Sequence, residues 1–270
     1  SVVTIHDLGY EYYPEAHPRA QRLYLRLSTS WSARAATRII AISEATRRDL
    51  VRFTGISADK ISVVYHGVHQ RFQPSEPEVS AAAARKYGLD GAYLLFISTI
   101  QPRKNLVRLI DAYAQALAIH PELPPLALGG KPGWLTTQIE ARATALGIAQ
   151  QVRFLGYVAD ADLPALIGGA TIYLLPSLYE GFGMTVLEAM ACGTPVITST
   201  VSSLPEVAGP AAILIEPTDP AALARAISDL AQDPARQADL REQGLAWAKR
   251  WTWERSARQT LDVLEQAAQS

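Results

Sequence analysis

The feature that most constrains this 270-residue chain is the alternation of short β-branched runs with longer helical patterns. Runs at residues 1–5 (SVVTI), 38–42 (RIIAI) and 61–65 (ISVVY) are separated by helical patterns over 19–36 and 44–53. Strands spaced by helices cannot close as tight hairpins. They form βαβ units, which build parallel sheets. Ser43 stands where an N-cap belongs for the helix that follows it. Residues 73–79 (QPSEPEV), rich in Pro and Glu, read as a linker. A second series follows, with strands expected at 93–97, 125–128, 151–154, 171–175, 195–198 and 212–215. Its helices are expected at 106–119, 135–146, 160–168, 184–191, 220–232, 234–249 and 252–268. The reading is α/β, with two doubly wound units, one over 1–74 and one over 75–250, followed by a terminal segment 251–270.

Composition narrows the class. Hydrophobic residues make up 49% and charged residues 19%, which suits a globular α/β protein. A net charge of −1 gives no reason to expect a nucleic-acid partner. The single cysteine, Cys192, excludes an internal disulfide and fits a reducing compartment. No apolar run reaches the roughly 20 residues that span a bilayer, and no signal peptide is recognisable. The expected location is cytoplasmic, with the cytoplasmic membrane face as a place of contact. The chain opens directly in a strand pattern, as though residues preceded it. Charge is divided, with ten Lys/Arg against six Asp/Glu over 1–74 and fifteen against twenty over the rest. Arg19, Arg22 and Arg26 share one helix face. That face is either solvated or a dock for an anionic membrane or lipid-phosphate group.

The chemistry concentrates in residues 176–198, PSLYEGFGMTVLEAMACGTPVIT. A hydrophobic strand ends at Leu175, a loop carries Glu180, Gly181, Phe182 and Gly183, and a helix starts near Met184 and Thr185. Backbone N–H groups at such a helix start face the crevice beyond the strand ends, where an anion is stabilised. Glycines there let the backbone approach a diphosphate or sugar. Glu180 and Glu188 are eight positions apart, so they can address different parts of one extended ligand: Glu180 the sugar hydroxyls, Glu188 a ribose diol. Taken alone, Glu180 is equally a loop charge and Glu188 an ordinary helix residue. Against the second reading, Glu188 is flanked by Val186, Leu187, Ala189 and Met190, and a carboxylate in so apolar a helix wants a partner.

The spacing of Glu180 and Glu188, followed by A-C-G-T-P-V-I, resembles the E-x7-E signature of family 4 retaining glycosyltransferases. The resemblance implies the GT-B fold, with the donor held mainly by the second of two Rossmann-like domains. It continues through FISTIQPRKNL (96–106), whose Arg103 and Lys104 would meet the diphosphate, and VRFLGYV (152–158), whose Tyr157 and Val158 would lie beside the base. SLPE (203–206) resembles the segment after the signature helix, and the terminal helix resembles one that crosses back to the first domain. His6-Asp7 alone reads as a surface turn, but the resemblance makes His6 an active-site residue. AISEATRRDL (41–50) and VVYHGV (63–68) resemble the last elements of the first domain, with Ser43 as a cap and His66-Gly67 shaping the hinge. Thr99 stands where many members carry an arginine, so Arg103 is inferred to supply that charge.

The activity this implies is transfer of mannose or glucose from GDP-mannose or UDP-glucose to a hydroxyl, with retention and without metal or other cofactor. The acceptor would be a glycan, a lipid-linked group or a small molecule. The alternative is a nucleotide-sugar-binding subunit or fragment without full activity that needs a partner chain. Residues 1–74 are less than half of the first domain that the family carries. Val2, Val3, Ile5, Ile39, Ile40, Ile42, Val63 and Val64 are therefore expected to be partly exposed in a monomer, and a homo-oligomer to cover them.

Overall fold

The β-branched runs assemble into two separate parallel sheets. The computed structural model describes residues 1–14, 18–131 and 136–269. In chain order the first part holds β1 (Val2–Ile5), α1 (Gly9–Tyr12), α2 (Arg19–Ala35), β2 (Arg38–Ala41), α3 (Glu44–Thr54) and β3 (Ile61–Val63). The second holds α4 (Pro77–Lys86), β4 (Leu94–Ile97), α5 (Leu106–Ile119), β5 (Leu126–Gly129), α6 (Thr136–Ala145) and β6 (Val152–Gly156). It continues with α7 (Leu163–Gly168), β7 (Ile172–Leu175), α8 (Met184–Ala191), β8 (Val196–Ser199), α9 (Leu204–Ala208) and β9 (Ile213–Ile215). Three helices close the chain: α10 (Pro220–Ala231), α11 (Pro234–Ala248) and α12 (Trp253–Gln269).

The first sheet has the order β1-β2-β3 and pairs Val3 with Ile39 and Ile39 with Ile61. The second has the order β6-β5-β4-β7-β8-β9. Its four inner strands are buried on both faces, as parallel strands between helical layers must be: every residue of β4, β5, β7 and β8 is buried. After β4 the chain builds outward through β5 and β6, then returns to the other side of β4 with β7. The order reverses between β4 and β7, and ligands of open α/β sheets sit at the strand ends beside such a reversal. The β4–α5 and β7–α8 connections meet there.

Ser43 caps α3 as expected, accepting a hydrogen bond from Thr46 N at 3.0 Å. The expected linker is corrected at its end. Pro77 is the first residue of α4, where its missing N–H costs nothing, so the Pro–Glu cluster marks a helix start. The helix expected over 160–168 begins only at Leu163. Leu135, placed in a helix from sequence, lies outside the described residues.

The expected partial exposure around the first sheet holds for four of the eight residues and is corrected for the other four. Ile39, Ile40, Ile42 and Val64 are buried, while Val2, Val3, Ile5 and Val63 are half-buried. The cover comes from the far end of the chain: Val263 of α12 packs on Ile40, Val64 and Val2. On the other face, Ala33 of α2 and Leu50 of α3 pack with Ile39 and Ala41. Apolar surface is instead exposed on α2, where Leu23, Tyr24, Leu27 and Trp31 are 57–71% accessible. The three arginines do not form one free face: Arg26 pairs with Glu11 at 2.9 Å, Arg22 is half-buried and Arg19 is exposed. Among the described residues no helix is long and apolar enough to cross a membrane.

Gly67 sets how α12 reaches the first sheet. A Cβ there would stand 2.2 Å from the Trp253 backbone nitrogen, so the two segments pass with no room for a side chain. Gly67→Ala should therefore destabilise the fold by about 1–3 kcal/mol in chemical denaturation. Gly168→Ala, whose Cβ would meet nothing nearer than 3.6 Å, should be near neutral. Equal effects of the two would contradict the close crossing.

Candidate active site

The β4–α5 connection turns through a short 3-10 segment, Pro102–Lys104, into Asn105. Asn105 adopts a left-handed conformation (φ 64°), which its short polar side chain tolerates better than most. Its buried amide donates to Pro176 O at 3.1 Å and Pro217 O at 2.7 Å. A second tie runs from Leu178 N to Arg103 O at 2.8 Å. These bonds hold the ends of β4 and β7 together. Sequence reading passed over Asn105; its place directly after the two cations and before a helix was the available signal.

That junction gathers the charges. The Glu180 carboxylate accepts Lys104 Nζ at 2.5 Å and Ser177 Oγ at 2.7 Å on one oxygen, and Arg103 Nη1 at 2.7 Å on the other. Glu180 is 6% exposed and Lys104 likewise 6%, whereas Arg103 is half-buried. Arg103 Nη1 also donates to Tyr179 O at 3.0 Å. Burial works to push the Glu180 carboxyl up, but the charges of Lys104 and Arg103 and the Ser177 hydroxyl outweigh it and hold it below the ordinary range. In the ligand-free chain, then, the first glutamate of the signature is the counter-ion of the two cations. Both of its oxygens are already taken.

Past Glu180 the loop is pressed against the first sheet's strand ends. A Cβ on Gly181 would lie 2.5 Å from His6 O, so only glycine fits. Phe182 is buried, edge-on to His66 at 5.1 Å and Trp251 at 5.8 Å. It anchors the loop to the junction of the two sheets. Gly183, at φ 97°, turns the chain into α8. No side chain caps α8, and Met184 and Thr185 at its start are half-buried. An uncapped start leaves backbone N–H groups available to an anion.

Glu188 stands on α8, half-buried. Contrary to the expectation of a partner, no described residue donates a hydrogen bond to its carboxylate. Burial, only partly offset by Arg71, pushes it up to about 7. Tyr157 is exposed after β6, with Lys131 Nζ 5.8 Å from its ring, while Val158 is buried. His6 is exposed, and its ring stacks on His66 at 6.0 Å. Burial and His6 together depress His66. Sequence reading gave His66 only a hinge role, although VVYHGV places it at the end of β3, level with His6 at the end of β1. Among the described residues no three His, Cys, Asp or Glu side chains are grouped to hold a metal ion.

Residues 82–247 match the family model described as glycosyl transferases group 1, and residues 1–71 the one described as Glycosyltransferase Family 4. The chain belongs to the group 1 glycosyl transferases. It is 36% identical over 268 residues to the O-antigen chain mannosyltransferase B of Escherichia coli, covering 97% of this chain and 69% of that protein. It is likewise 36% identical over 241 residues to D-inositol 3-phosphate glycosyltransferase 2 of Catenulispora acidiphila, covering 85% of this chain and 56% of that protein. Among solved structures it resembles Anabaena HepE in complex with UDP and glucose, at 25% identity and a TM-score of 0.84, covering 98% of this chain and 71% of that one. The family and its GT-B fold, read from the spacing of Glu180 and Glu188, are thereby established.

The raised Glu188 carboxyl has a consequence for stability. The folded chain holds its proton to about 7, whereas a free glutamate carboxyl releases it at about 4.5. Between those values the native state binds more protons, so this group's contribution to stability falls as pH rises through that window. Glu188→Gln should remove the dependence, gaining on the order of 1–3 kcal/mol relative to the parent between pH 5 and pH 8. Denaturant titrations across that range with parallel slopes for both proteins would refute it.

Proposed function

We propose that the chain is a hexosyltransferase that moves mannose or glucose from a nucleoside diphosphate sugar to an acceptor hydroxyl, with retention and without a metal ion. The observation that carries this is the meeting of Arg103 and Lys104 with Glu180 beside the uncapped start of α8. Two cations and a helix start offer a diphosphate both charge and directed N–H donors. The mannosyltransferase relative supports GDP-mannose as the first candidate donor, and the UDP-bound neighbour supports UDP-glucose as the second. Glycan, lipid-linked and small-molecule acceptors all fit this reading, as do a cytoplasmic location and a homo-oligomer joined through the exposed face of α2.

The reaction breaks the bond between the anomeric carbon and the diphosphate oxygen and forms one to the acceptor oxygen on the same face. The departing diphosphate takes up the acceptor proton. Arg103, Lys104 and the α8 start stabilise the charge that develops on the leaving group. Glu188 holds the ribose. His6 faces the sugar or the acceptor hydroxyl. Glu180 exchanges its cation partners for sugar hydroxyls as the diphosphate replaces it as their counter-ion, so transfer proceeds by positioning and charge stabilisation rather than through a protein nucleophile.

A thermal-shift panel of sugar nucleotides, with and without EDTA, tests donor and metal independence together. Stabilisation by a GDP- or UDP-sugar that survives chelation is expected; loss on chelation would contradict it. Arg103→Ala should weaken nucleoside diphosphate binding by about 1.5–3 kcal/mol and leave nucleoside binding unchanged. Equal losses would remove Arg103 from the phosphate site. Glu180→Gln frees both cations, so nucleoside diphosphate affinity should hold or rise while turnover falls about 100-fold. Weaker nucleotide binding in that variant would overturn the counter-ion exchange. Turnover of the donor to transferred product, rather than binding alone, separates this reading from a subunit that binds without reacting.

A further inference from the structure

The first turn of α3 leaves backbone N–H groups without helical acceptors, as every helix start does. Ser43 takes Thr46 N from within the same segment. The other two are taken from across the molecule. Glu206 on α9 accepts Glu44 N through Oε2 and Ala45 N through Oε1, both at 2.9 Å, and Tyr65 donates its hydroxyl to the same Oε2 at 2.9 Å. One carboxylate of the second sheet's unit thus caps a helix of the first unit and grips the segment after β3. A negative charge at a helix start is also favoured by the helix dipole.

The same turn of α3 grips the donor loop. Ser43 Oγ donates to Gly181 O at 2.7 Å, and Thr46 Oγ1 lies 3.3 Å from His6 O. One turn further on, buried Asp49 accepts the Tyr179 hydroxyl at 2.8 Å. Residues 43–49 therefore hold the neighbours of Glu180 on both sides. The 2.5 Å that a Gly181 Cβ would leave to His6 O shows how little slack remains.

We propose that Glu206 is a positioning residue: by latching the α3 start it sets the loop carrying Glu180 against His6 and closes the cleft between the two units. This rests on the transfer reading above. Glu206 touches none of the groups assigned to the donor, so it acts through α3 and the Tyr65 segment. It is half-buried and lines a cavity of about 220 Å3 with Tyr65, Trp247 and Arg255. No described cation pairs with it. Water can reach the carboxylate once the units part, which makes the latch reversible. Opening would draw α3, and with it His6, away from Glu180. Nucleoside diphosphate affinity should not change, because Arg103, Lys104 and Glu188 all belong to the second unit.

Glu206→Gln tests this. An amide can accept only one of the two N–H groups and turns its own donors toward the other. Turnover should fall about 10–100-fold, as misplacement by about 1 Å does, with nucleoside diphosphate affinity within twofold of the parent. Hydrogen exchange at the Glu44 and Ala45 amides should quicken by a similar factor. Glu206→Asp, which keeps both acceptor oxygens, should recover part of the turnover. Should Glu206→Gln fail to fold, Tyr65→Phe removes one of the three bonds and should give a smaller effect of the same pattern. Unchanged exchange at Glu44 and Ala45, parental turnover in Glu206→Gln, or a loss of nucleotide affinity in step with turnover would each overturn the latch. If the parent protein transfers no sugar, the functional reading fails, and the exchange rates still judge the latch by themselves.

Discussion

Two buried charges, Glu180 and Lys104, depend on one another, and much of the second unit is arranged around keeping them together. An isolated charge at either depth would cost several kcal/mol, and removing one partner of such a pair commonly destabilises a protein by about 3–5 kcal/mol. The pair is satisfied here because β4 and β7 are neighbours, although 74 residues of chain separate the end of one from the start of the other. Asn105 then ties their connections together, and Ser177 and Arg103 fill the acceptor positions that remain on Glu180. A diphosphate arriving at this point meets cations that are already gathered and already desolvated. It needs only to displace a carboxylate, which carries less negative charge than a diphosphate does. Under the proposed function, the cations that Glu180 holds together in the ligand-free chain are the ones a nucleoside diphosphate meets.

The second constraint is the contact between units. Gly67 against Trp253 and Gly181 against His6 are places where two backbones meet with no side chain between them. Around them Phe182 packs edge-on to His66, and the other contacts are polar and directional: Ser43 and Glu206 on the start of α3, and Asp49 with the hydroxyl of Tyr179. Such contacts fix orientation sharply and come apart at modest cost, because each group can turn to water. That suits a cleft that must admit a donor and then hold it in register with an acceptor.

Much of this was legible in the sequence where the determinants are local. Alternating β-branched and helical segments dictated parallel sheets, Ser43 announced a cap, and Glu180 and Glu188 stood at a spacing that marks the family. What lay hidden was set by residues distant along the chain. The partners of Glu206 are 141 to 162 positions away, and nothing near SLPE points to the start of α3. The cover on Ile40 and Val64 comes from Val263, so counting the apolar surface of residues 1–74 alone overstated its exposure. The expected partner for Glu188 rested on the sound rule that buried carboxylates are paired. Among the described residues none donates to that carboxylate, and burial raises its affinity for protons, a state that fits a group whose partner is a ligand.

Under the proposed function a diphosphate replaces Glu180 as the counter-ion of Arg103 and Lys104. A crystal structure of the chain with a nucleoside diphosphate bound tests it most directly. Diphosphate oxygens should lie about 2.7–3.1 Å from the Arg103 guanidinium and the Lys104 ammonium, with Glu180 released from at least one of them and Glu188 on the ribose hydroxyls. A diphosphate bound elsewhere, with Arg103 and Lys104 still closed on Glu180, would contradict it.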